Sequence, residues 1–384
     1  MLILPYPIPD GTSLIDRIGR ADLDPTLTVT SRAARRPDID NGPGIRSGYR
    51  TTRQLEQDHP ELAGRLTPPS GARLPAAASL RTDAGTGVRM LTINVHEGVP
   101  GGLDMNRDSN ESLDALRDVA RLVNTLDPDV VLVQELTSHP RGTWSRDVEE
   151  QPSILGRLMQ ADDVAFAPAF ELGWGAGETG TAIYTRNGFQ IEHSVNVALK
   201  DGTGTQPRGA AVARVSRPGR DADHDFTVIG THLAHGSFND AARGAQMQEL
   251  ASIVDGIRTS GGFDHTPRMP SGRSSSKQQR ARGFARERIV LGGDLNSSQI
   301  QADDVLRTSG LRHVLTKLAA SQDPADQQRA QELEQLPTAT KNRIDHLYTS
   351  GWQVDDVGMA RARNVDLDGD APPTDHAAVI ADLR

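Results

Sequence analysis

Ile289 to Asn296 reads Ile-Val-Leu-Gly-Gly-Asp-Leu-Asn, three apolar residues, two of them β-branched, running straight into an acid and an amide. A short apolar run of this kind makes a buried strand, and its polar end belongs at the rim of a sheet. The Gly pair is expected to let the backbone turn sharply. Asp294 and Asn296, two apart on an extended chain, are expected to project the same way. One is an anion able to hold a divalent metal or a water; the other is a neutral amide able to hold a phosphate oxygen. Strands that end in Gly-Asp also occur at ordinary turns, so the stretch takes its meaning from its neighbours.

Other apolar runs end in the same manner. Val88 to Val95 reads as a strand that delivers Asn94, Asp129 to Val133 as a buried strand followed by Gln134 and Glu135, and Phe226 to Thr231 as one followed by His232. Arg343-Ile344-Asp345-His346 opens a strand reaching Tyr348, and Thr374-Asp375-His376 precedes a last strand at Ala377 to Ala381. Further strands are expected at Ala182 to Tyr184 and Ala210 to Val215, with helices at Ser112 to Leu126 and Asp240 to about Arg258. Strand, helix and strand in succession suggest layers of sheet and helix. His346 alternates to the opposite side of its strand from Asp345 and reads as structural.

Each polar strand end has a plain explanation taken singly: Asn94 a turn residue, Glu135 or Asp375 a helix cap, His232 a core histidine. Together they form the inventory for metal-assisted attack on phosphorus. A phosphodiester repels nucleophiles, so a Mg²⁺-like ion on hard oxygen ligands is useful to withdraw its charge, and Glu135 is the best ligand candidate. The attacking water must lose a proton, a task suited to an imidazole held by a carboxylate, and His376 with Asp345 is the pair of choice.

Composition narrows the classes. The chain has 384 residues and no cysteine, which excludes thiolate metal sites, disulfides and cysteine nucleophiles. A net charge of -9 argues against a protein that coats nucleic acid, and leaves room for a local basic patch. No apolar run is long enough to span a membrane. Met1 to Leu4 meets Pro5, Pro7 and Pro9 at once, so no signal peptide is read and the default is a cytoplasmic protein; export without a cleaved signal stays open.

Residues 1–86 hold ten of the 23 prolines, 11 Arg and no Lys, and read as a flexible Pro/Arg-rich N-terminal extension with a short helix near Ser13 to Ile18 and linker at Pro68-Pro69 and Ala76 to Ala78. The regular pattern then fills residues 87–384, with insertions at about 262–288 and 320–339. The first contains Arg268 to Arg288, seven Lys or Arg against one Glu, a solvated loop or a phosphate contact whose only interleaved aromatic is Phe284. The second contains a polar helical connector, Gln322 to Leu336.

Asn94, Gln134-Glu135, Thr231-His232-Leu233, Gly293-Asp294-Leu295-Asn296, Arg343-Ile344-Asp345 and Thr374-Asp375-His376 resemble, in this order, the motifs of the endonuclease/exonuclease/phosphatase superfamily. The resemblance runs from Val88 to the C-terminus. It implies an α/β (α+β) fold, a four-layered αββα sandwich of the deoxyribonuclease I-like type with its site at one rim. By the same resemblance Glu135 holds the metal, with Asn94 beside it and the phosphate, and Asp375 supports the metal side. Asp294 orients the water or a second metal, Asn296 binds a phosphate oxygen, Asp345 orients His376 as base, and His232 stabilises the phosphate or protonates the leaving oxygen. The two histidines are interchangeable as base and acid on these grounds. Thr181 stands where an Asn is usual; Arg208, ahead of a strand, is a phosphate ligand by virtue of its fork. His96 and Glu97 line the mouth or sit in a solvated loop.

The function expected is a metal-dependent phosphodiesterase using Mg²⁺, or else Mn²⁺ or Ca²⁺, and acting on DNA or RNA. Two other readings stay open: a phosphatase or sphingomyelinase-like hydrolase of a lipid or inositol phosphate, and a catalytically silent binding module with residues 1–86 as its docking arm.

Overall fold

The computed structural model describes residues 46–47, 64–66, 68, 87–98, 109–138, 151–171, 178–200, 206–217, 219–267, 277–339, 342–360 and 373–384. The expected helix at Ser13 to Ile18 and the linker at Ala76 to Ala78 lie outside them. In chain order the elements are β1 Arg46–Ser47, β2 Val88–Asn94, α1 Ser109–Leu126, β3 Val130–Ser138, α2 Gln151–Leu158, β4 Asp163–Glu171, β5 Glu178–Thr185, β6 Gln190–Ala198, β7 Gly209–Ser216 and β8 Phe226–His232. Then follow α3 Asp240–Ser260, β9 Gly262–His265, β10 Gln279–Arg282, β11 Ile289–Asp294, α4 Gln299–Leu306, β12 Arg312–His313, α5 Val314–Ala319, α6 Pro324–Glu334, β13 Asp345–Ser350, β14 Val354–Ala360 and β15 Ala378–Leu383.

The strands form a seven-stranded sheet, β1-β4-β5-β3-β2-β15-β14, and a six-stranded sheet, β12-β13-β11-β8-β7-β6. Side-chain alternation along each strand sorts the apolar residues into three cores. Leu91 and Ile93 of β2 and Val131 and Val133 of β3 face α1 and α2. Met90, Val130 and Leu132 point the other way, against Val228 and Val290 of the second sheet. Ile229, Leu291 and Tyr348 face Leu250 of α3 and Leu306 of α4. Helix, sheet, sheet and helix are thus the four layers that the motif order implies. The helix α6 occupies the stretch read as a polar connector, and with α5 it covers the inter-sheet core through Leu318 and Leu333. Among the described residues no helix is long and apolar enough to cross a membrane.

The Gly pair of the opening motif does not turn the chain. Gly292 and Gly293 lie inside β11, paired with Gly230 and Thr231 of the parallel strand β8. A side chain at Gly292 would press into Leu347 and into Leu132 of the facing sheet, and one at Gly293, where φ is 142°, would collide with the Thr231 carbonyl. Gly292 lets the two sheets approach closely just below the rim, and Gly293 lets β11 lie close against β8 within its own sheet.

The basic insertion is also more ordered than a loop reading allows. Its described part forms an antiparallel ribbon of β9 and β10, in which Arg280 pairs with Asp264 at 3.3 Å. Phe284 is buried against Phe263 rather than offered to a base. Residues 268–276 lie outside the described part. From the extension, Leu66 is buried in the core beside α1, and Arg117 of α1 donates to the Arg65 carbonyl at 2.6 Å. The strands β4 and β6 were not expected. The first has a short Ala-rich apolar run, Val164 to Ala167, interrupted by Pro168, which argues against a strand, and the second alternates polar residues around a bulge at Ile191/His193.

Candidate active site

Three neighbouring strands of the six-stranded sheet put Asp345, Asp294 and His232 in one row: Asp294 is the register partner of Asp345 on β13 and of His232 on β8. Across from that row, β2 and β3 of the other sheet bring Asn94 and Glu135. Asn94 joins the two sheets, donating from Nδ2 to Glu135 Oε1 at 3.0 Å and to Asp294 Oδ2 at 3.1 Å. Its Oδ1 accepts the His96 backbone N–H at 2.8 Å, and its carbonyl accepts the Thr374 hydroxyl at 2.7 Å, which ties the segment carrying His376 to the end of β2.

Two backbone irregularities aim the groups. The strand β3 does not end before Gln134 and Glu135, as the apolar run suggested, but continues to Ser138 with a register shift between Val133 and Leu136. Glu135 sits in that shift with φ 59°, so the irregularity turns its carboxylate into the cleft. Asn296 lies beyond the end of β11 with φ 49°, in a turn rather than on an extended chain, and its N–H is held by Asp294 Oδ1 at 2.8 Å. The turn, not strand alternation, brings Asp294 and Asn296 to the same side.

The electrostatics divide the two histidines. His376 Nδ1 meets Asp345 Oδ2 at 2.8 Å. Burial works against a charge on this ring, but Asp345, by charge and hydrogen bond, together with Asp294 and Asp375, outweighs it and pushes His376 up to about 9. His232 Nδ1 lies 3.1 Å from an Arg208 guanidinium nitrogen. His232 Nε2 lies 3.0 Å from the Asn296 amide nitrogen and 3.6 Å from Asp294 Oδ2, so each ring nitrogen faces a donor and the contacts alone do not select a tautomer. Burial first, then the charges of Arg208, His376 and His235, hold His232 well below the usual imidazole range. Asp294 is raised to about 7 by burial and by Asp345, against the pull of His376 and its two hydrogen bonds.

These residues border a cleft of about 580 Å³. Glu135, Arg208, His232, Asp294, Asn296 and His376 all face it. Asp375 stands at its mouth, its Oδ1 3.7 Å from His376 Nε2 and 4.0 Å from His96 Nδ1. Thr181 lines the opposite wall, its methyl group beside Gly230. His346 is fully buried on the other face of the sheet. The sequence did not single out His235 and Asn342, which also line the cleft; His235, three residues beyond His232, was the one with a legible signal.

Ligand atoms of Glu135, His232 and Asp294 lie within 4.8 Å of one another, as do those of Asp294, Asp345 and His376. The donor set fits a hard divalent cation. Three carboxylates converge, Asp345 Oδ1 is buried without a hydrogen-bond partner among the described residues, and Asp294 holds its proton unusually tightly. A cation relieves all three conditions.

A four-layered sandwich with carboxylates and imidazoles gathered at one rim defines a class of phosphoester hydrolases. The model described as Endonuclease/Exonuclease/phosphatase family matches residues 91–376, and the chain belongs to that family. Solved structures of similar fold include an endonuclease/exonuclease/phosphatase from Beutenbergia cavernae DSM 12333, 19% identical over 78% of this chain and 72% of that one, with a TM-score of 0.51. The human Nocturnin catalytic domain with bound sulfate anion is 18% identical, over 78% of this chain and 94% of that one, with a TM-score of 0.50. D. rerio TDP2 complexed with single strand DNA product is 16% identical, over 78% and 99%, with a TM-score of 0.50. At such identities the likeness is one of fold. The comparison with curated proteins gives no match.

Proposed function

We propose that the chain is a divalent-metal-dependent phosphodiesterase that cleaves nucleic acid by attack of water on phosphorus. The observation that carries the reading is the division of the histidines, one oriented by Asp345 and drawn toward the charged form, the other neutral beside Arg208, on either side of Asp294. Hydrolysis of an unactivated diester needs both a proton acceptor and a donor to the phosphate oxygens.

Glu135 and Asp294 would hold the cation, with Asp375 at the mouth in a supporting place. When bound, Mg²⁺ or a similar ion supplies positive charge against the phosphate oxygens and offsets the mutual repulsion of the carboxylates. Asp345 fixes the His376 ring through Nδ1 and leaves Nε2 facing the cleft, where it accepts the proton of water once the ring is neutral. Arg208 and the Asn296 amide bind phosphate oxygens. His232 stands between the Arg208 guanidinium and the Asn296 amide and positions these two donors for the developing negative charge. With its charge disfavoured by burial and by Arg208, it takes part as a neutral ring. Nucleic acid is the substrate class favoured by the fold shared with TDP2, a structure described with a single strand DNA product.

The test is side-by-side turnover of single-stranded and duplex DNA, RNA, sphingomyelin and an inositol polyphosphate with Mg²⁺, Mn²⁺, Ca²⁺ or chelator present. Cation-dependent cleavage of a polynucleotide that is lost in His376→Ala supports the proposal. Turnover confined to the lipid or inositol substrate overturns the substrate choice, and turnover insensitive to chelator overturns the mechanism.

A further inference from the structure

Behind the Asn296 turn, on the face of the sheet away from the cleft, two histidines are buried in series. His313 caps α5, its Nδ1 3.2 Å from the Leu315 backbone nitrogen. His313 Nε2 is 3.1 Å from His346 Nδ1, and His346 Nε2 is 2.9 Å from the Ser297 carbonyl oxygen. His313 is 1% exposed and His346 0%.

The two ends of this series fix every proton in it. A backbone N–H can only donate, so His313 Nδ1 accepts and His313 carries its proton on Nε2. A carbonyl can only accept, so His346 carries its proton on Nε2 and presents Nδ1 as an acceptor. The inner contact is then His313 Nε2–H donating to His346 Nδ1. Two neutral rings therefore pass one hydrogen-bond direction from the start of α5 to Ser297, and burial disfavours charge on either.

We infer that His313 and His346 are positioning residues that hold Asn296 in its binding conformation through the Ser297 carbonyl. Asn296 occupies the left-handed region, which asparagine adopts at little cost, so the hydrogen bonds around it decide where its amide points. From the cleft side it is held by Asp294 Oδ1, by the Leu233 carbonyl, to which its Nδ2 donates at 3.1 Å, and by His232 Nε2, 3.0 Å from the same Nδ2. From behind, among the described residues, His346 bonds the carbonyl of the next residue along, Ser297, whose hydroxyl donates to Gln301 of α4 at 3.1 Å. Packing alone does not require this chemistry: beside Tyr348 and Leu295 an apolar ring would fill the space, and a buried polar series is tolerated only when all of it is satisfied. The device also spans two parts of the site, because His346 follows Asp345, the residue that orients His376.

The inference rests on the phosphodiesterase reading for its kinetic consequence and on geometry alone for its tautomers, so the two are tested apart. In the full chain, ¹⁵N spectra of the ring nitrogens are expected to show both histidines as the neutral Nε2–H form from pH 5 to 8; an Nδ1–H form or a protonated ring in either overturns the relay whatever the activity. On bis(4-nitrophenyl) phosphate with Mg²⁺, His346→Phe is expected to lower kcat/KM about tenfold to a hundredfold, the scale of a slightly misplaced binding group. His346→Gln, which keeps one acceptor and one donor, is expected to recover most of the loss. In an Asn296→Ala background His346→Phe is expected to add almost nothing. Equal losses in the Phe and Gln variants, or the full loss in the Asn296→Ala background, reduces the pair to packing. If the wild type hydrolyses no diester, the side-chain amide resonance of Asn296 replaces the rate. Displacement in the Phe variant with return in the Gln variant supports the relay, and no displacement overturns it.

Discussion

The two ends of the central strands handle buried charge in opposite ways. At the far end Arg89 grips Asp382 with Nε and Nη2 at 2.6 and 2.8 Å and donates Nη1 to the Leu126 carbonyl. Asp129 accepts the Arg89 N–H and the Asn187 amide, and Arg186 donates to Met159, Pro128 and Asn124. Every charge there has a partner of the other sign or a set of dipoles. At the site end Glu135, Asp294 and Asp345 crowd together, and the cation among them, Arg208, is turned toward a neutral imidazole. Left-handed backbone occurs at both ends: at Asp127, Gln160 and Asn187 of the far end, and at His96, Glu97, Glu135 and Asn296 of the site end, where three residues other than Asn or Asp adopt it against one at the far end. Stability built one end of the sheet, and the other keeps conflicts that a substrate or cation relieves.

The sharpest break of this comparison is His376→Ala. It is expected to lower kcat for phosphodiester hydrolysis by about 10²–10⁴ while the melting temperature changes little, read by steady-state kinetics beside thermal denaturation. Arg89→Met should do the reverse. It leaves Asp382 without its partner and is expected to cost about 3–5 kcal/mol in chemical denaturation, with kcat within about twofold of wild type. An Arg89 variant as stable as wild type would erase the distinction between the ends.

The pH response sharpens it further. Asp294 has a folded-state value raised to about 7, above that of the unfolded chain, so its contribution to stability is lost as pH rises from about 4 to about 7. His376, raised to about 9, contributes stability that is complete below about 6.5 and lost as pH rises through 9. The melting temperature of metal-free protein is thus expected to fall across both windows, and Asp294→Asn to abolish the first fall. In kinetics, Asp345→Asn removes the carboxylate that raises His376, so the alkaline-rising limb of the rate is expected to move to lower pH as the maximum drops. A limb that stays in place would take His376 out of the base role. The smallest effect belongs to the ribbon: Arg280→Ala removes an exposed pair worth about 0–1 kcal/mol. If this Arg touches a phosphate, the slope of log KM against log salt on a polynucleotide falls by about one, and otherwise it does not move.

The order of layers was legible because strands buried on both faces are rich in continuous apolar residues, and Val130 to Val133 and Ile289 to Leu291 have no other use. Polar residues at the ends of such runs announced Asn94, His232, Asp294 and Asp345; His232 and Asp294 line one cleft with Glu135 and His376, and Asn94 and Asp345 are hydrogen-bonded to Asp294 and His376 behind its wall. The strands β4 and β6 and the β9–β10 ribbon carried no such clear mark, since positions at or next to a sheet edge tolerate Pro, Ala and polar alternation.

The residue types at the rim, and hence the chemistry available there, were determined by sequence alone. Tertiary structure decided their use. The irregularity in β3 aims Glu135, and the close approach at Gly230 and Gly292 lets the sheets meet below the rim. Burial beside Asp345 on one side and Arg208 on the other makes two identical side chains, His376 and His232, respectively prone to and averse to charge. A side chain's charge state depends on what surrounds it in space, and strands far apart in the chain supply those surroundings only once both sheets are assembled.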